Sequence, residues 1–167
     1  CVAGLVVASA LAHGVERGNV GCARKVGAGA LGRRPDWARW RNGLFGLTFE
    51  PAVIVYNRKL LSPSEVPANR FDLIDLLRDT ERFSGRVGTY NLEASGVGYL
   101  FAFEDSGQAG TFGRLAESFG RNNVQLFCCT SDILDRVSDG RLLLGYNVLG
   151  SYAIARAATD SSLGVVM

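Results

Sequence analysis

Histidine is nearly absent from this chain: His13 is the only one. A His-based catalytic triad or a multi-histidine metal site therefore finds no basis here. Cysteine is scarce as well. Cys1, Cys22, Cys128 and Cys129 nowhere show the CxxC spacing of a zinc knuckle or redox motif. Neighbouring residues rarely bridge each other, so Cys128 and Cys129 are expected to serve as small buried apolar groups, with reactive thiols as the sharper alternative. No apolar run reaches the roughly 18 residues of a membrane helix. Val2 to Ala12 is largely apolar, and Ala8-Ser-Ala10 and Ala10-Leu-Ala12 look like the small-residue ending of a signal peptide, but a basic n-region and an initiating methionine are missing. Neither sign of charge dominates. Eighteen Lys and Arg against sixteen Asp and Glu leave +2 with no long run of either, which argues against a nucleic-acid groove and a polybasic membrane surface, while the lack of a long apolar run argues against stable membrane insertion. The phosphate loop GxxxxGK[ST] and the nucleophile elbow Gly-x-Ser-x-Gly are both lacking, and acidic pairs such as Asp132/Asp135 and Glu104-Asp105 fit an exposed helix face and a helix end. No enzyme signature remains.

What is present is the composition of a folded domain, 47% hydrophobic over 167 residues, enough for one core or one lobe of a larger protein. Residues 1–34 stand apart. They are rich in Ala, Gly, Val and Arg and have no Phe, Trp or Tyr. Glycines at 14, 18, 21, 27, 29 and 32 interrupt any helix longer than two or three turns. A disordered arm or a misread frame both fit this stretch. From Pro35 the texture changes. Pro35 to Arg41 reads as a helical turn with Trp37 and Trp40 reaching one apolar surface.

Phe49 to Asn57 is a near-continuous β-branched run, the pattern of a strand buried on both faces. Phe71, Leu73, Ile74 and Leu77 recur at helical spacing. Gly85 to Tyr90 reads as a strand, and Asn91 to Gly96 as a turn. Ser95 is placed to N-cap an aromatic-rich helix over Val97 to Phe103. A helix over Thr111 to Phe119 and a strand over Val124 to Cys128 follow, and Thr130 or Ser131 can cap a helix over Asp132 to Ser138. Arg141 to Leu144 reads as a short strand ending in a polar elbow, with a helix continuing to about Ala158. Leu163 to Met167 is a final strand. The alternation of strand and helix predicts an α/β fold with a mostly parallel sheet and flanking helices, covering 35–167.

Two places have the form of a ligand pocket. Thr89 to Gly98 holds a strand end, a turn and the helix start at Ser95-Gly96, whose free N–H groups suit an anion or an anion partnering a metal. The elbow gathers Gly145, Tyr146, Asn147, Gly150, Ser151 and Tyr152 at the carboxyl end of a strand, where α/β sheets bind ligands. Its tyrosines can hydrogen-bond a solute or, equally, pack their rings and send their hydroxyls to the backbone.

The runs Phe49-Glu-Pro-Ala-Val-Ile-Val-Tyr-Asn57, Gly85-Arg-Val-Gly88, Ser95-Gly96 and Gly140-Arg-Leu-Leu-Leu-Gly-Tyr-Asn-Val-Leu-Gly-Ser-Tyr-Ala153 resemble bacterial extracellular solute-binding proteins of ABC importers, in the branch that includes ferric-ion-binding proteins. The resemblance covers roughly residues 36–167. It implies a type II periplasmic-binding-protein fold, with this chain corresponding mainly to the second of two lobes that close around a ligand. It further implies no catalysis, a small solute or a metal or anion as cargo, an ABC permease as partner and a periplasmic location. The family's ligand-contacting helix start matches Ser95-Gly96, and its tyrosine-bearing loop matches Tyr146, Asn147 and Tyr152. Thr89 and Ser151 complete the expected ligand set. Ferric-binding members have adjacent tyrosines in that loop, whereas Tyr146 and Tyr152 are separated here, so the cofactor or cargo stays unassigned. An effector-sensing domain of a transcription regulator shares this architecture and is the alternative, with a Cys-dependent enzyme behind it.

Overall fold

Strict alternation along Ala52–Asn57 decides where the sheet sits. Val53 and Val55 point to one face, Ile54 and Tyr56 to the other, and the first three of these are buried. Both faces must therefore be covered by helices. The computed structural model describes residues 4–7, 11–27, 35–48 and 50–167, with residues 11–13 described by backbone alone. Within it lie two compact units, Cys1–Phe49 and Glu50–Met167.

The first unit contains helix α1 (Leu11–Asn19), a 3-10 turn at Asp36–Ala38 and a hairpin of β1 (Arg39–Trp40) and β2 (Leu44–Phe45). Arg41 and Asn42 turn the hairpin at φ of 48° and 54°, the handedness of tight hairpin turns. The shared apolar surface expected for the two tryptophans does not form: Trp37 is 72% exposed and Trp40 half-buried. One 3-10 turn running straight into extended chain does not bring residues three apart onto one face. Residues 35–48 thus belong with the N-terminal unit. The expectation of disorder or a misread frame over 1–34 falls in part on residues 1–3, 8–10 and 28–34, outside the described residues, as do Cys1, Ala8-Ser-Ala10 and Phe49.

The second unit is a five-stranded sheet between two helical layers. Its strands are β3 (Ala52–Asn57), β4 (Val87–Tyr90), β5 (Gln125–Phe127), β6 (Leu144–Leu149) and β7 (Leu163–Val166), ordered β5-β4-β6-β3-β7. β4 pairs parallel with β5 and β6, while β3 runs antiparallel to both β6 and β7. Four strands therefore point one way and β3 alone opposes them, which makes the sheet mostly parallel with an inserted reversed strand. Helices α2 (Arg70–Leu76), α3 (Thr80–Phe83) and α5 (Ala109–Arg121) bury Leu73, Ile74, Phe83 and Leu115 with Ile54, Val87, Leu144 and Tyr146. Helices α6 (Thr130–Ser138) and α7 (Gly150–Ala157) bury Ile133, Leu134, Val137 and Ala153 with Val53, Val55 and Val148 on the opposite face. Helix α4 (Gly96–Ser106) follows β4 and carries Phe101 against Tyr90.

The polar stretch after Leu144 does not form the expected elbow. β6 runs on through Gly145, Tyr146 and Asn147 to Leu149, and α7 begins at once. Gly145 is glycine for packing: a Cβ there would lie 2.5 Å from Ile133 Cγ2 and 2.9 Å from Val55 Cγ2, so the residue lets α6 approach the sheet. Asn147 is polar because of a bulge. Between the pairs Val53↔Val148 and Val55↔Gly145, two residues of β6 oppose one of β3, and Asn147 takes φ 58°, a conformation that Asn tolerates.

Two carboxylates tie loops to this frame. Asp160 accepts from Ser138 Oγ, from Ser162 Oγ at 2.6 Å and from Ser162 N at 3.0 Å, and these donors hold its carboxyl at about 2. Arg82 and Ser62 hold Glu65 at about 2 in the same way. Both values lie below the ordinary 3.8 and 4.5. Their contribution to stability is accordingly complete above those ordinary values and lost as pH falls through about 2. Thermal melts should show the melting temperature dropping between about pH 5 and about pH 2, and Asp160→Asn should flatten that slope while lowering the neutral-pH melting temperature. An unchanged acid slope in the variant would contradict this account.

Candidate ligand edge

Strands β4, β5 and β6 run parallel, so their carboxyl ends, Tyr90, Phe127 and Leu149, meet at one edge of the sheet. A helix begins just beyond each of them. α4 starts after Ser95, α6 after Cys129 and α7 after Leu149. Each start leaves backbone N–H groups without intrahelical partners and carries the positive end of a helix dipole. The buried Ser95 caps α4 by accepting from Gly98 N at 3.1 Å, as its position in the sequence predicted, and Gly96 beside it is exposed.

One phenol ties two of these starts to the end of β4. Tyr90 OH lies 2.6 Å from Thr130 Oγ1, at the start of α6, and accepts from Leu149 N at 3.4 Å, at the start of α7. Burial raises the Tyr90 hydroxyl above its ordinary value, so it stays a neutral donor and acceptor. Ser151 and Tyr152 stand exposed on the first turn of α7, with Tyr152 59% exposed. Glu50 places Oε2 3.4 Å from Ser151 N, the one carboxylate that an interaction brings to this helix start among the described residues. Gly150 is required by proximity, since a Cβ there would sit 2.8 Å from the Pro51 carbonyl that accepts its own N–H.

The other predicted residues are used elsewhere. Thr89 Oγ1 donates to the Tyr146 carbonyl at 3.1 Å, within the sheet. Tyr146 and Asn147 leave the edge. The bulge turns both side chains toward Asp105, whose Oδ2 accepts from Tyr146 OH and from Asn147 Nδ2, each at 2.8 Å. Arg70 ion-pairs with the other oxygen and donates from Nε to Tyr146 OH at 2.8 Å. Burial, with Asp105 adding to it, pushes the Tyr146 hydroxyl above its ordinary value, so without a metal it stays a neutral donor to Asp105. Asp105 reads in sequence as an exposed helix end and is in fact 4% exposed. A groove of about 340 Å³ opens over this group, lined by Asn69, Arg70, Gln108, Thr111, Tyr146 and Asn147 among others.

Cys128 and Cys129 also differ from expectation. They are exposed, not buried, and are bonded to each other as a vicinal disulfide in the turn between β5 and α6. A three-residue strand ending at Phe127 leaves both beyond the sheet. Tyr90, Glu50 and Arg70 were not singled out in the sequence; Thr130 was read as a helix cap and Asp105 as part of a helix end, and neither reading showed its partner.

The geometry agrees with what the chain is similar to. It matches the substrate-binding protein of an ABC transporter from Agrobacterium tumefaciens with a TM-score of 0.90 and 41% identity, over 95% of this chain and 47% of that one. Iron-bound HitA from Pseudomonas aeruginosa matches with a TM-score of 0.70 and 16% identity, over 91% and 48%. The apo ferric ion-binding protein A of Pasteurella haemolytica matches with 0.65 and 21%, over 91% and 49%. The last two are likenesses of fold. No family model matches the sequence, and no curated protein does. By fold and sequence the chain is thus related to the substrate-binding proteins of ABC transporters, and it spans about half the length of the structures it matches. These neighbours are binding proteins. Among the described residues, no helix is long and apolar enough to cross a membrane.

Truncating the buried carboxylate tests the Asp105 group. Asp105→Ala strands Arg70, Tyr146 and Asn147 together, and breaking a buried pair costs about 3–5 kcal/mol. Because the Arg70 side chain is 35% exposed, water recovers part of that, and a loss of about 2–3 kcal/mol in urea unfolding is expected. A loss below about 1 kcal/mol would show that the group contributes no more than a surface pair.

Proposed function

We propose that this chain is part of the solute-binding component of an ABC importer, and that the carboxyl edge of β4, β5 and β6 forms one wall of its ligand cleft. The observation that carries this reading is the convergence of three helix starts on one edge in a chain 41% identical to such a protein. Ser95, Gly96, Ser151 and Tyr152 are the residues that meet the solute. N–H groups at helix starts favour an anionic solute, or a metal carried with an anion. The exposed Tyr152 hydroxyl supplies a directional hydrogen bond beside them. Thr89, Tyr146 and Asn147, the remaining members of the expected set, take part by fixing β6 and α4 at the distance the edge requires.

No catalytic step belongs to this reading. The protein would work in the periplasm, delivering its cargo to a membrane permease. The chain spans about half of its structural relatives, so the second wall of the cleft lies in the other half. Closure of two walls around a ligand supplies much of the affinity in such sites.

Two measurements check the proposal. Calorimetry with phosphate, citrate and Fe(III)-citrate should give at best about 10 μM dissociation constants for the single wall, about −7 kcal/mol. Sub-micromolar binding by this chain alone would refute the division of the cleft. Gly96→Asp places a carboxylate at the start of α4, where it favours the helix but repels an anion. The variant should keep or raise its own melting temperature and lose the shift that anions produce. An undiminished anion shift would remove Ser95-Gly96 from the site.

A further inference from the structure

The vicinal pair at the same edge has no part in the reading above. Cys128 and Cys129 occupy the turn from β5 into α6, Cys129 stands at the N-cap of α6, and both side chains face solvent. One turn into the helix, Asp132 brings Oδ2 to 3.7 Å from Cys128 Sγ. The two sulfurs and the carboxylate oxygen all lie within 4.8 Å of one another. As a disulfide the sulfurs are closed to a metal, because a metal takes the thiolate. We propose that Cys128, Cys129 and Asp132 form a redox-gated site for a thiophilic divalent cation of the zinc type, shut in the disulfide form and opened by reduction.

The chemistry balances with a small dithiol as reductant. One of its thiolates attacks a sulfur of the pair, the Cys128–Cys129 bond breaks, and two electrons pass from the dithiol to the two cysteines. The reductant leaves as its own cyclic disulfide, and each cysteine ends as a thiol. Binding of the cation then releases two protons as both sulfurs become thiolate ligands. Zinc takes sulfur at about 2.3 Å and carboxylate oxygen at about 2.0–2.2 Å, which sets tetrahedral ligands roughly 3.8 Å apart. Donors already within 4.8 Å reach that spacing by side-chain rotation. The start of α6 favours thiolate over thiol. Two sulfurs and one oxygen select a borderline or soft ion over Mg²⁺ or Ca²⁺. Three protein ligands leave a fourth position open to water or to a bound anion at the edge.

Cobalt(II) reports such a site directly. The full chain is reduced with dithiothreitol, freed of it under argon and titrated with Co²⁺. One equivalent should produce a thiolate-to-cobalt charge-transfer band with the visible bands of tetrahedral cobalt, and Zn²⁺ should abolish both. The oxidised protein should produce neither. Cys129→Ser and Asp132→Asn, both at exposed positions, should weaken uptake by at least about tenfold with unchanged circular dichroism, and Cys22→Ser should leave it intact. Absence of the band in the reduced chain, equal uptake by the oxidised chain, or undiminished uptake by Cys129→Ser would each overturn the proposal. None of these outcomes depends on whether the edge binds a solute, since the anion shift of Gly96→Asp is read without metal.

Discussion

The fold of the larger unit depends on one irregularity, the bulge at Asn147. A regular strand would send Tyr146 to one face of the sheet and Asn147 to the other. With two residues opposed to one on β3, both turn to the same face and converge on Asp105. That carboxylate belongs to the last turn of α4, so a distortion in the central strand fixes the far end of the helix whose beginning lies at the ligand edge. Residual charge is balanced by Arg70 from the start of α2. Three elements that meet nowhere in sequence are thereby held by one buried, hydrogen-bonded ion pair. Buried pairs of this kind add less to stability than their Coulomb energy suggests, because desolvation offsets it. What they supply here is position, since each donor to Asp105 has one place to stand.

Much of the frame was legible in the sequence, and for local reasons. The near-continuous β-branched run within Phe49 to Asn57 marked a strand buried on both faces. The helix expected over Asp132 to Ser138 forms as part of α6, and Ser95 marked a helix start. Each of these signals is complete within one or two turns of chain. The motifs Ser95-Gly96 and Gly140 to Ala153 also pointed to the family whose fold the chain shares. What the sequence concealed required knowing what lies across the sheet. Gly145 and Asn147 resemble turn residues, and only the packing of Ile133 against the first and the bulge at the second explain them as parts of a strand. Asp105, beside Glu104 and ahead of a glycine, looks like a solvated helix end, and only its three partners reveal that it is buried. Cys128 and Cys129 looked like filler for a core because neighbouring cysteines rarely bridge each other, yet here they do. The strand stops at Phe127 and exposes both.

The candidate site was legible only in part, for the same reason. Ser95 could be placed at a helix start because capping is local, and Gly96, Ser151 and Tyr152, expected from that start and from the polar elbow, stand at the same edge. Thr89, Tyr146 and Asn147 were drawn toward the site by their chemistry. The structure instead gives their hydrogen bonds to a carbonyl of β6 and to Asp105. A polar side chain near a strand end can serve a ligand or the frame, and residue type alone does not distinguish the two.

The edge has a consistent electrostatic sense. Three helix starts converge there, each favouring negative charge over the first turn. Tyr90 links two of them through Thr130 and the Leu149 amide, and burial keeps its phenol neutral, so it adds no negative charge of its own. Glu50 supplies one carboxylate beside the start of α7 and partly satisfies that helix. The starts of α4 and α6 receive no side-chain carboxylate on their cap amides, since Ser95 offers a neutral hydroxyl and Cys129 makes no cap bond. A ligand that completes this arrangement brings acceptor oxygens to the gap between α4 and α6. The Cys128–Cys129 turn leads into α6 at the same edge, so an anion held by the helix starts and a cation held by the reduced sulfurs would attract each other. On the inference drawn above, the two would bind with positive coupling rather than compete.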